Sequence, residues 1–410
     1  MDISAKVLKR WTWFKGDVVI WMILFFLVLI SLIEVYSASS NMTYKTGNYW
    51  RPIMQHASFL MIGVFITLVI HKIPCRLFKI IPLVGVPLSL ILLFVALCAK
   101  KVNNASRWVE YGGVSFQPSE IAKGVLIVLV AMLLSGMRDE NGVQKRAFKI
   151  ILGITVLFCG MIAPENFSTA AMTFLVVMIM MFVAGVPWKQ LGTLLGVILI
   201  AVTCMFSFLR YTSDSTIEAC SQLPMMHRLP TWASRVRGGG EIPEDAKDYD
   251  ITKNQQVTHA RIAVATCNVI GRGPGNSVSR DFLPQSFSDF IYAIIFEELG
   301  FFGGFWVMFL YIMLLFRAAR IAGRCENNFP AFLVMGLALL LVTQALVNMA
   351  VAVGVFPVTG QPLPLISKGG TSTIINCFYI GMILSVSHSA KKKTDVPALD
   401  AVGQDVAVQG

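Results

Sequence analysis

The chain has 410 residues, of which 56% are hydrophobic and only 14% are charged, and its mean hydropathy is +0.69. Water-soluble domains carry about 25% charged residues, so this composition excludes a soluble protein. The formal net charge of +11 is explained by basic loops that lie against the anionic inner leaflet of a membrane. We therefore expect a membrane protein with no nucleic-acid partner.

Apolar runs near or above the ~18 residues needed to cross a bilayer recur along the whole chain. They predict one all-α, polytopic membrane domain over residues 1–390, followed by a cytoplasmic tail at 391–410. About ten transmembrane helices are expected, and the fifth is the shortest. The predicted spans are 18–38, 53–71, 77–98, 119–136, 149–163, 168–186, 190–209, 289–316, 329–353 and 370–389.

The orientation follows from the distribution of Lys and Arg, because cytoplasmic loops carry an excess of both. With the N-terminus inside, about eighteen Lys and Arg fall in cytoplasmic segments, against six in the short exterior loops. An even number of spans returns the C-terminus to the same side. The chain is therefore predicted to have both termini in the cytoplasm and a long exterior loop, 210–288, between the seventh and eighth helices.

The first polar cluster is "ASRWVEYGGVSFQPSEIAKGVLI", residues 105–127. It leads from an exterior loop into the fourth helix. Glu120 and Lys123 are three residues apart, which places them on one helix face where they can pair. Such a pair could simply hold the bundle together, or Lys123 could bind an anionic substrate.

The long exterior loop is turn-rich in its first half, where it has too few apolar residues for a core of its own. Residues 255–270 have a helix-like pattern that could lie along the membrane surface. Gly271, Gly273 and Gly275 then allow tight turns whose N–H groups could bind an anion, although most such clusters are only turns. Cys220 and Cys267 lie in the same loop and could pair in an oxidising compartment.

The stretch "SFSDFIYAIIFEELGFFGGF", residues 286–305, places three carboxylates in an apolar helix. An ionised side chain at mid-bilayer costs about 2.5–3.5 kcal/mol, so these residues need a reason. Asp289 stands at the mouth of the predicted helix. Glu297 lies eight residues on, about 12 Å deeper at 1.5 Å per residue. We assign Glu297 and Glu298 a structural role, protonated or paired with polar groups of neighbouring helices, in a helix that runs through the middle of the bundle.

After the stretches at 105–127 and 286–305, the third polar cluster is "FPVTGQPLPLISKGGTS", residues 356–372. Its prolines and glycines break helicity at membrane depth. Such backbone is tolerated only where it is buried in protein or lines a water-filled cavity. The three clusters, which all face outward in the predicted topology, could converge on one exterior cavity. A transporter would more often place its polar groups near the midplane, in broken helices of two repeated halves, and the sequence shows no such repeat.

Three separated motifs, "RW…FQPSEIAK", "SDFIYAIIFEELG" and "TGQPLPLISKGG", resemble in order and spacing the SEDS family, the FtsW and RodA proteins of bacterial cell-wall synthesis. The likeness covers nearly the whole chain. "QVTHARIAVA" and "GPGNSVSRDFLPQSFSDFIYAIIFEE" look more like the FtsW division branch, particularly of the Bacteroidetes type. Lys368 departs from the family pattern, which usually has an aromatic residue there, and Leu365 stands where Phe is common.

The resemblance implies a peptidoglycan glycosyltransferase that polymerises lipid II at the outer face of the bacterial cytoplasmic membrane. It implies Asp289 as the essential residue, and a carboxylate at headgroup depth can act there as the general base for an attacking sugar hydroxyl. The alternative from the residues alone is that Ser288 or Asp289 only caps the helix. Candidates for substrate binding are Arg51, Arg107, Trp108, Gln117, Lys123, Gly275, Asn276, Ser367 and Lys368, and Glu120, Glu297 and Glu298 are expected to be structural.

The resemblance further implies a class B penicillin-binding protein, together with other division or elongation proteins, as partners. The eighth and ninth helices, with the exterior loop after the ninth, are expected to supply the surface for this single-pass partner. Small residues in the ninth helix, among them Gly336, Ala338, Ala345 and Ala350, could admit the partner's helix or could pack inside the bundle. The cysteine and histidine spacings predict no zinc or haem site, and a Mg or Mn ion at the pyrophosphate is the one cofactor considered. Alternative functions are a RodA-like elongation polymerase, or a lipid II flippase or transporter.

Overall fold

The computed structural model describes residues 15–38, 51–98, 109–111, 114–139, 142–221, 229–238, 255–282 and 288–394. Within these residues the chain forms ten long α-helices, three short ones and two small hairpins. The long helices are α1 (Val18–Ala38), α2 (Arg51–Ile70), α3 (Ile81–Cys98), α4 (Pro118–Gly136), α5 (Lys145–Ile162), α6 (Phe167–Val183), α7 (Trp188–Tyr211), α11 (Ile291–Ala322), α12 (Asn328–Ala352) and α13 (Thr371–Thr394). The short helices are α8 (Asp214–Ser221), α9 (Leu229–Gly238) and α10 (Gln255–Ala265).

The two hairpins are antiparallel and lie at the ends of α4. One pairs β1 (Val109–Tyr111) with β2 (Val114–Phe116), and the other pairs β3 (Arg138–Asp139) with β4 (Gly142–Val143). Apart from these short strands, the regular secondary structure of the described residues is helical. The all-α, polytopic prediction is confirmed.

Each of the ten predicted spans coincides with a long helix. Eight of them are long and apolar enough to cross a membrane by length and composition. The helix α6 is apolar but has 17 residues, and α5 begins with Lys145, Arg146 and Lys149. The number of spans therefore stays a prediction. The helix α13 continues to Thr394, so the predicted tail at 391–410 begins within it.

Both described ends of the chain lie at one face of the bundle. Arg317 of α11 pairs with Asp17, just before α1. A Cβ built on Gly16 would lie 2.8 Å from the Leu384 carbonyl oxygen of α13. We call this side, where Asp17, Arg317 and Ser387 lie, the terminal face, and the opposite side the distal face. The predicted common side for both ends agrees with this arrangement, and its assignment to the cytoplasm stays a prediction.

The helices share one apolar core. The helix α2 packs along α13, α11 along α12, and α4 contacts both α3 and α12. Small residues permit these contacts: a Cβ on Gly336 would lie 2.7 Å from the Ile127 side chain, and Ala338 and Ala345 are fully buried. Of the small residues considered for a partner surface, these three belong to the internal core instead.

The long loop between α7 and α11 has more structure than its composition predicted. The short helices α8 and α9 pack on the end of α7, and Leu209, Ile217, Leu229 and Ala233 form a small apolar cluster. Because Leu209 of α7 completes this cluster and residues 239–254 lie outside the described residues, the expectation that this part of the loop has no core of its own stays a prediction. The helix α10 confirms the helical pattern that begins at residue 255, and its Ala260 and Ala263 are buried.

The helix α11 is not continuous. Gly300 has φ 72° and ψ −171°, which separates a short segment, 291–299, from a long one, 301–322. The loop around Gly271 crosses at this break, because the Phe301 N–H donates to the Asn268 carbonyl at 3.0 Å. A Cβ on Gly300 would lie 2.4 Å from the Gly271 nitrogen, and one on Gly271 would lie 2.3 Å from the Glu298 carbonyl oxygen. Only glycine fits at both positions.

This break corrects the predicted depth of Glu297 and Glu298. Glu298 accepts a hydrogen bond from Ser37 at the distal end of α1, whereas Arg317 pairs with Asp17 at the terminal end. Segment 301–322 alone therefore matches the roughly 30 Å length of α1. The prediction of one continuous span over 289–316, with Glu297 about 12 Å below Asp289, is wrong. Segment 291–299 is a separate short helix inside the bundle, with residues 291–298 buried.

Candidate functional site

Asp289 lies in a turn at the head of α11. Ser288 Oγ donates to Asp289 Oδ1 at 2.9 Å, and the Asp289 side chain is half-buried. The N-cap position of the helix is Phe290, which makes no side-chain capping hydrogen bond. The assigned N-cap thus follows Asp289 by one residue, and capping by Ser288 or Asp289 stays an alternative to the catalytic role.

Two side chains from other elements hold the backbone of this turn. Ser367 Oγ donates to the Ser288 carbonyl at 2.6 Å, and Asn348 Nδ2 donates to the Asp289 carbonyl at 2.9 Å. Asn348 stands four residues before the distal end of α12 at Ala352. Four residues of helix span about 6 Å, so the turn that carries Asp289 lies close to the distal face.

The loop at 356–370 descends into the bundle between α12 and α13. The Ile366 carbonyl accepts a hydrogen bond from Ser31 Oγ of α1 at 2.7 Å, and the Pro364 carbonyl accepts one from the Tyr311 hydroxyl of α11. Leu363 and Leu365 are 1% exposed. Irregular backbone at this depth is tolerated because protein surrounds it, as the sequence predicted.

Leu365 lies in the buried part of this loop and has a φ of 66°. A positive φ is strained for a branched side chain, and such strain persists only where the surroundings over-determine the backbone. Here the carbonyls on both sides of Leu365, those of Pro364 and Ile366, are each bound by a hydroxyl from a different helix. Those bonds hold the loop in place.

The predicted pairing of Glu120 with Lys123 is confirmed. Lys123 Nζ lies 2.8 Å from Glu120 Oε1, and both side chains are at most 1% exposed. Lys123 Nζ also donates to Gln344 Oε1 of α12 at 2.9 Å, and Gln344 Nε2 donates to the Pro362 carbonyl at 3.0 Å. This chain of contacts ties α4 to α12 and to the descending loop. Its burial favours the structural alternative for Lys123 over direct contact with a substrate.

Glu297 and Glu298 bind the glycine-rich loop instead of lying deep in the bundle. Glu297 accepts hydrogen bonds from the Arg272 guanidinium at 2.9 Å, from Ser277 Oγ at 2.7 Å, and from the backbone N–H groups of Val278 and Ser279 at 3.1 and 3.2 Å. Glu297 therefore fastens the loop at 277–279 to the short segment of α11.

Glu298 completes the same arrangement one residue on. It accepts from Ser37 Oγ and from the N–H groups of Gly275 and Ser277 at 3.1 and 3.2 Å, and Arg280 Nη1 lies 3.9 Å away. The N–H groups of the glycine-rich turn do converge on a carboxyl group, and that group is the chain's own Glu298. The Gly275 N–H, a candidate substrate donor, is thus used internally. The structural role predicted for the glutamates fits these contacts.

The remaining candidates are spread over several places. Gln117 is buried and donates to Ser119 Oγ at 2.9 Å, and Asn276 is exposed with its amide on the Arg272 carbonyl. Lys368 follows Ser367 and is half-buried, and burial lowers the pKa of its amino group below the ordinary 10.5. Arg107, Trp108 and the side chain of Arg51 lie outside the described residues. All eight cysteines, including Cys220 and Cys267, are free thiols.

Three site residues were not found from the sequence: Gln344, Asn348 and Gln361. Gln344 and Asn348 are polar residues four apart in the otherwise apolar α12, so they lie on one helix face. That spacing could have marked them. Gln361 stands among prolines and carries no such signal, and its amide reaches Thr169 of α6. The contacts join α6, α12, the descending loop and the Asp289 turn at the distal face.

These features define a class: a polytopic helical membrane protein with a half-buried carboxylate at one face, set among irregular backbone and buried polar pairs. A family model for the FtsW/RodA/SpoVE cell cycle proteins matches residues 17–392. The chain belongs to that family.

Individual relatives agree with this assignment. A probable peptidoglycan glycosyltransferase FtsW from Halomonas elongata is 30% identical over 402 residues, which covers 92% of each chain. One of the same description from Coxiella burnetii is 30% identical over 388 residues, covering 90% of this chain and 96% of the relative.

The fold matches solved structures of low sequence identity. A chain from a peptidoglycan synthase complex that coordinates polymerization and crosslinking superposes with a TM-score of 0.71 at 22% identity, covering 92% of this chain and 98% of that one. The rod shape determining protein RodA of Thermus thermophilus superposes with a TM-score of 0.63 at 20% identity, covering 92% and 97%. These likenesses establish the fold.

Proposed function

We propose that the protein is a peptidoglycan glycosyltransferase that polymerises lipid II into glycan strands. Relatives of this description match about nine-tenths of the chain at 30% identity. The branch they represent is FtsW, which supports a role in the septal wall made during cell division. We also propose that the protein works at the outer face of the bacterial cytoplasmic membrane, so that the distal face points outward. The assignment to a Bacteroidetes type belongs to the same proposal.

The observation that carries the proposed chemistry is the position of the Asp289 carboxylate. Its half-buried carboxylate lies near the distal face, on a turn whose two carbonyls are held by side chains of other elements. A lipid-anchored donor would place its anomeric carbon and pyrophosphate at this depth. Asp289 is therefore suited to act as a general base on the acceptor sugar.

The reaction balances with Asp289 as the only proton acceptor. The acceptor hydroxyl oxygen forms the new bond to the anomeric carbon, and its proton passes to the Asp289 carboxylate. The bond from the anomeric carbon to the pyrophosphate oxygen breaks, and the pyrophosphate leaves with the electron pair. Positive charge near the leaving group stabilises what develops on it. We propose Lys368, Arg51 and Arg107 for that role.

A divalent cation at the pyrophosphate is a separate proposal. Mg²⁺ is often held by one or two carboxylates together with substrate phosphates, and Asp289 offers one carboxylate. In the part of the chain that the structure describes, no group of three or more His, Cys, Asp or Glu could hold a metal ion. The protein's own residues thus do not form a metal site there, and no step above depends on one.

The test is polymerisation of purified lipid II by the purified protein. We expect Asp289→Asn to lower the rate by about 10²–10⁴-fold, the usual contribution of a general base, with an unchanged melting temperature. Asp214→Asn, at a side chain that is 86% exposed in the same long loop, is the matched control and should retain full activity. An Asn variant that polymerises at the wild-type rate would remove Asp289 from this role.

A flippase or transporter is separated from a polymerase by the product. A polymerase makes glycan chains from lipid II in detergent, where no gradient or second leaflet exists. Transport without chain formation would favour the alternative. The FtsW role and the RodA-like role are distinguished by expressing the protein in cells depleted of either native enzyme. Restored wall synthesis at the septum supports the FtsW role, and restored synthesis in the lateral wall supports the RodA-like role.

We further propose a class B penicillin-binding protein as partner, bound by its single membrane helix. The internal packing of Gly336, Ala338 and Ala345 leaves the outer side of α11 as the better surface. Phe305 and Trp306 are 49% and 44% exposed there. Co-purification of the partner should be lost on changing this surface and kept on changing the exposed apolar side of α3.

A further inference from the structure

The turn that carries Asp289 is held by two side chains that bind two successive carbonyls. Ser367 Oγ binds the Ser288 carbonyl at 2.6 Å, and Asn348 Nδ2 binds the Asp289 carbonyl at 2.9 Å. Ser367 Oγ also accepts the Leu363 N–H at 2.8 Å. Both holding residues come from elements that follow α11 in the chain.

The turn needs such support because α11 offers little of its own. The segment 291–299 is only about two and a half turns long before the break at Gly300, and its N-cap residue makes no side-chain capping bond. A helix this short, with a break behind it, fixes its first residues poorly. The position of Asp289 therefore depends on contacts made from outside the helix.

Asn348 is the more informative of the two holders. Its amide nitrogen has two hydrogens and donates to two carbonyls, that of Asp289 at 2.9 Å and that of Gln361 at 2.7 Å. Because both bonds use the nitrogen, the orientation of the amide is determined by its surroundings. The side chain is 1% exposed, so it is out of reach of a substrate.

We infer that Asn348 is a positioning residue of the polymerase: it couples Asp289 to the descending loop through one amide group and thereby sets the direction of the catalytic carboxylate. This inference rests on the proposed function. A base must stand within hydrogen-bond reach of the proton it removes, and a displacement of about 1 Å can cost about 10²-fold in rate. Loss of the amide should therefore lower turnover more than substrate binding.

The first measurement is steady-state polymerisation of lipid II by Asn348→Ala. We expect kcat to fall by about 10–100-fold while KM changes by less than about threefold. Thr67→Val is the matched control. Thr67 is equally buried and donates to the Cys377 carbonyl at 2.8 Å near the terminal-face end of α2, so its loss should destabilise the fold without lowering kcat. If the two variants lower kcat equally, Asn348 is only structural.

The second measurement is a double-mutant cycle with Asp289→Asn under single-turnover conditions. If Asn348 acts through Asp289, then Asn348→Ala should have almost no further effect in a protein that already carries Asp289→Asn, because the group it positions is already lost. Effects that multiply in full would overturn the inference. Where Asn348→Ala does not fold, Asn348→Ser keeps one donor and serves in both measurements.

The third measurement needs no activity. Amide hydrogen exchange of residues 288–294 in the purified full-length protein should be faster in Asn348→Ala than in wild type, and unchanged in Thr67→Val. Unchanged exchange in this turn would refute the positioning role even if kcat falls. If exchange is faster in Asn348→Ala but the wild-type protein makes no glycan, Asn348 does hold the turn and the proposed polymerase function is rejected instead.

Discussion

Replacing Glu297 tests how the long loop is fixed to the bundle. Its carboxylate accepts four hydrogen bonds, two on each oxygen, from the Arg272 and Ser277 side chains and from the backbone of Val278 and Ser279. The change Glu297→Gln keeps the size and shape of the side chain. It replaces one accepting oxygen with an amide group that can only donate, so two of the four donors lose their partner.

The magnitude follows from the bonds lost. A hydrogen bond to a charged group contributes about 1.5–3 kcal/mol, and a buried donor left without a partner costs a similar amount. Two such bonds give about 3–6 kcal/mol. The lower figure is the better one, because Arg272 is 37% exposed and water can replace the carboxylate there. We expect Glu297→Gln to lower the free energy of unfolding by about 3 kcal/mol.

Thermal and denaturant unfolding in detergent measure this loss, and limited proteolysis of the loop at 255–282 shows whether it is released. Asp214→Asn is the control, since it breaks an ion pair with Arg237 whose aspartate is 86% exposed. Exposed pairs contribute about 0–1 kcal/mol. If Glu297→Gln unfolds within about 0.5 kcal/mol of wild type, the carboxylate does not hold the loop and the reasoning fails.

Three further changes test other parts of the structure. Gly300→Ala should destabilise the protein by several times the ~1 kcal/mol that glycine usually costs a helix, because φ is 72° and the new Cβ would lie 2.4 Å from backbone; Gly160→Ala, in open space within α5, should be neutral or stabilising. A double-mutant cycle of Glu120 and Lys123 in unfolding experiments should show a coupling energy of at least about 1 kcal/mol, and additive losses would contradict the buried pair. Because burial lowers the pKa of Lys368, the unfolded chain binds that proton more tightly, so the contribution of Lys368 to stability should rise with pH up to the ordinary pKa near 10.5. Lys368→Met should remove that rise, and an unchanged pH dependence of unfolding would refute the assignment.

Much of the fold could be predicted because each transmembrane helix must satisfy its backbone hydrogen bonds internally and present apolar side chains to lipid. Each span can therefore be recognised from a local run of apolar residues. Nine of the ten predicted spans coincide with single helices, and the eighth coincides with α11, which breaks at Gly300. The Glu120–Lys123 pair was equally local, since a spacing of three residues fixes the distance on a helix. The position of Asp289 at the head of a helix could also be predicted from the neighbouring residues. Its proposed role as general base came from the family resemblance.

What the chain alone could not reveal were contacts between distant segments. The break at Gly300 looks like one more glycine in an apolar run, and only the crossing of the loop at Gly271 makes its positive φ necessary. The partners of Glu297 and Glu298 lie in a loop about twenty residues earlier in the chain and, for Ser37, at the end of α1. A rise of 1.5 Å per residue along one continuous helix therefore placed both glutamates too deep.

The sequence by itself determined the membrane-spanning class and the positions of the helices, because hydropathy and helical spacing act over a few turns. The tertiary structure decided which polar groups satisfy one another. It assigned the loop N–H groups to the two glutamates, buried Lys123 against Glu120 and Gln344, and placed Asn348 on the carbonyl of Asp289. Each of these contacts joins separate elements, and a buried polar group accepts whichever partner the packed fold brings within about 3 Å.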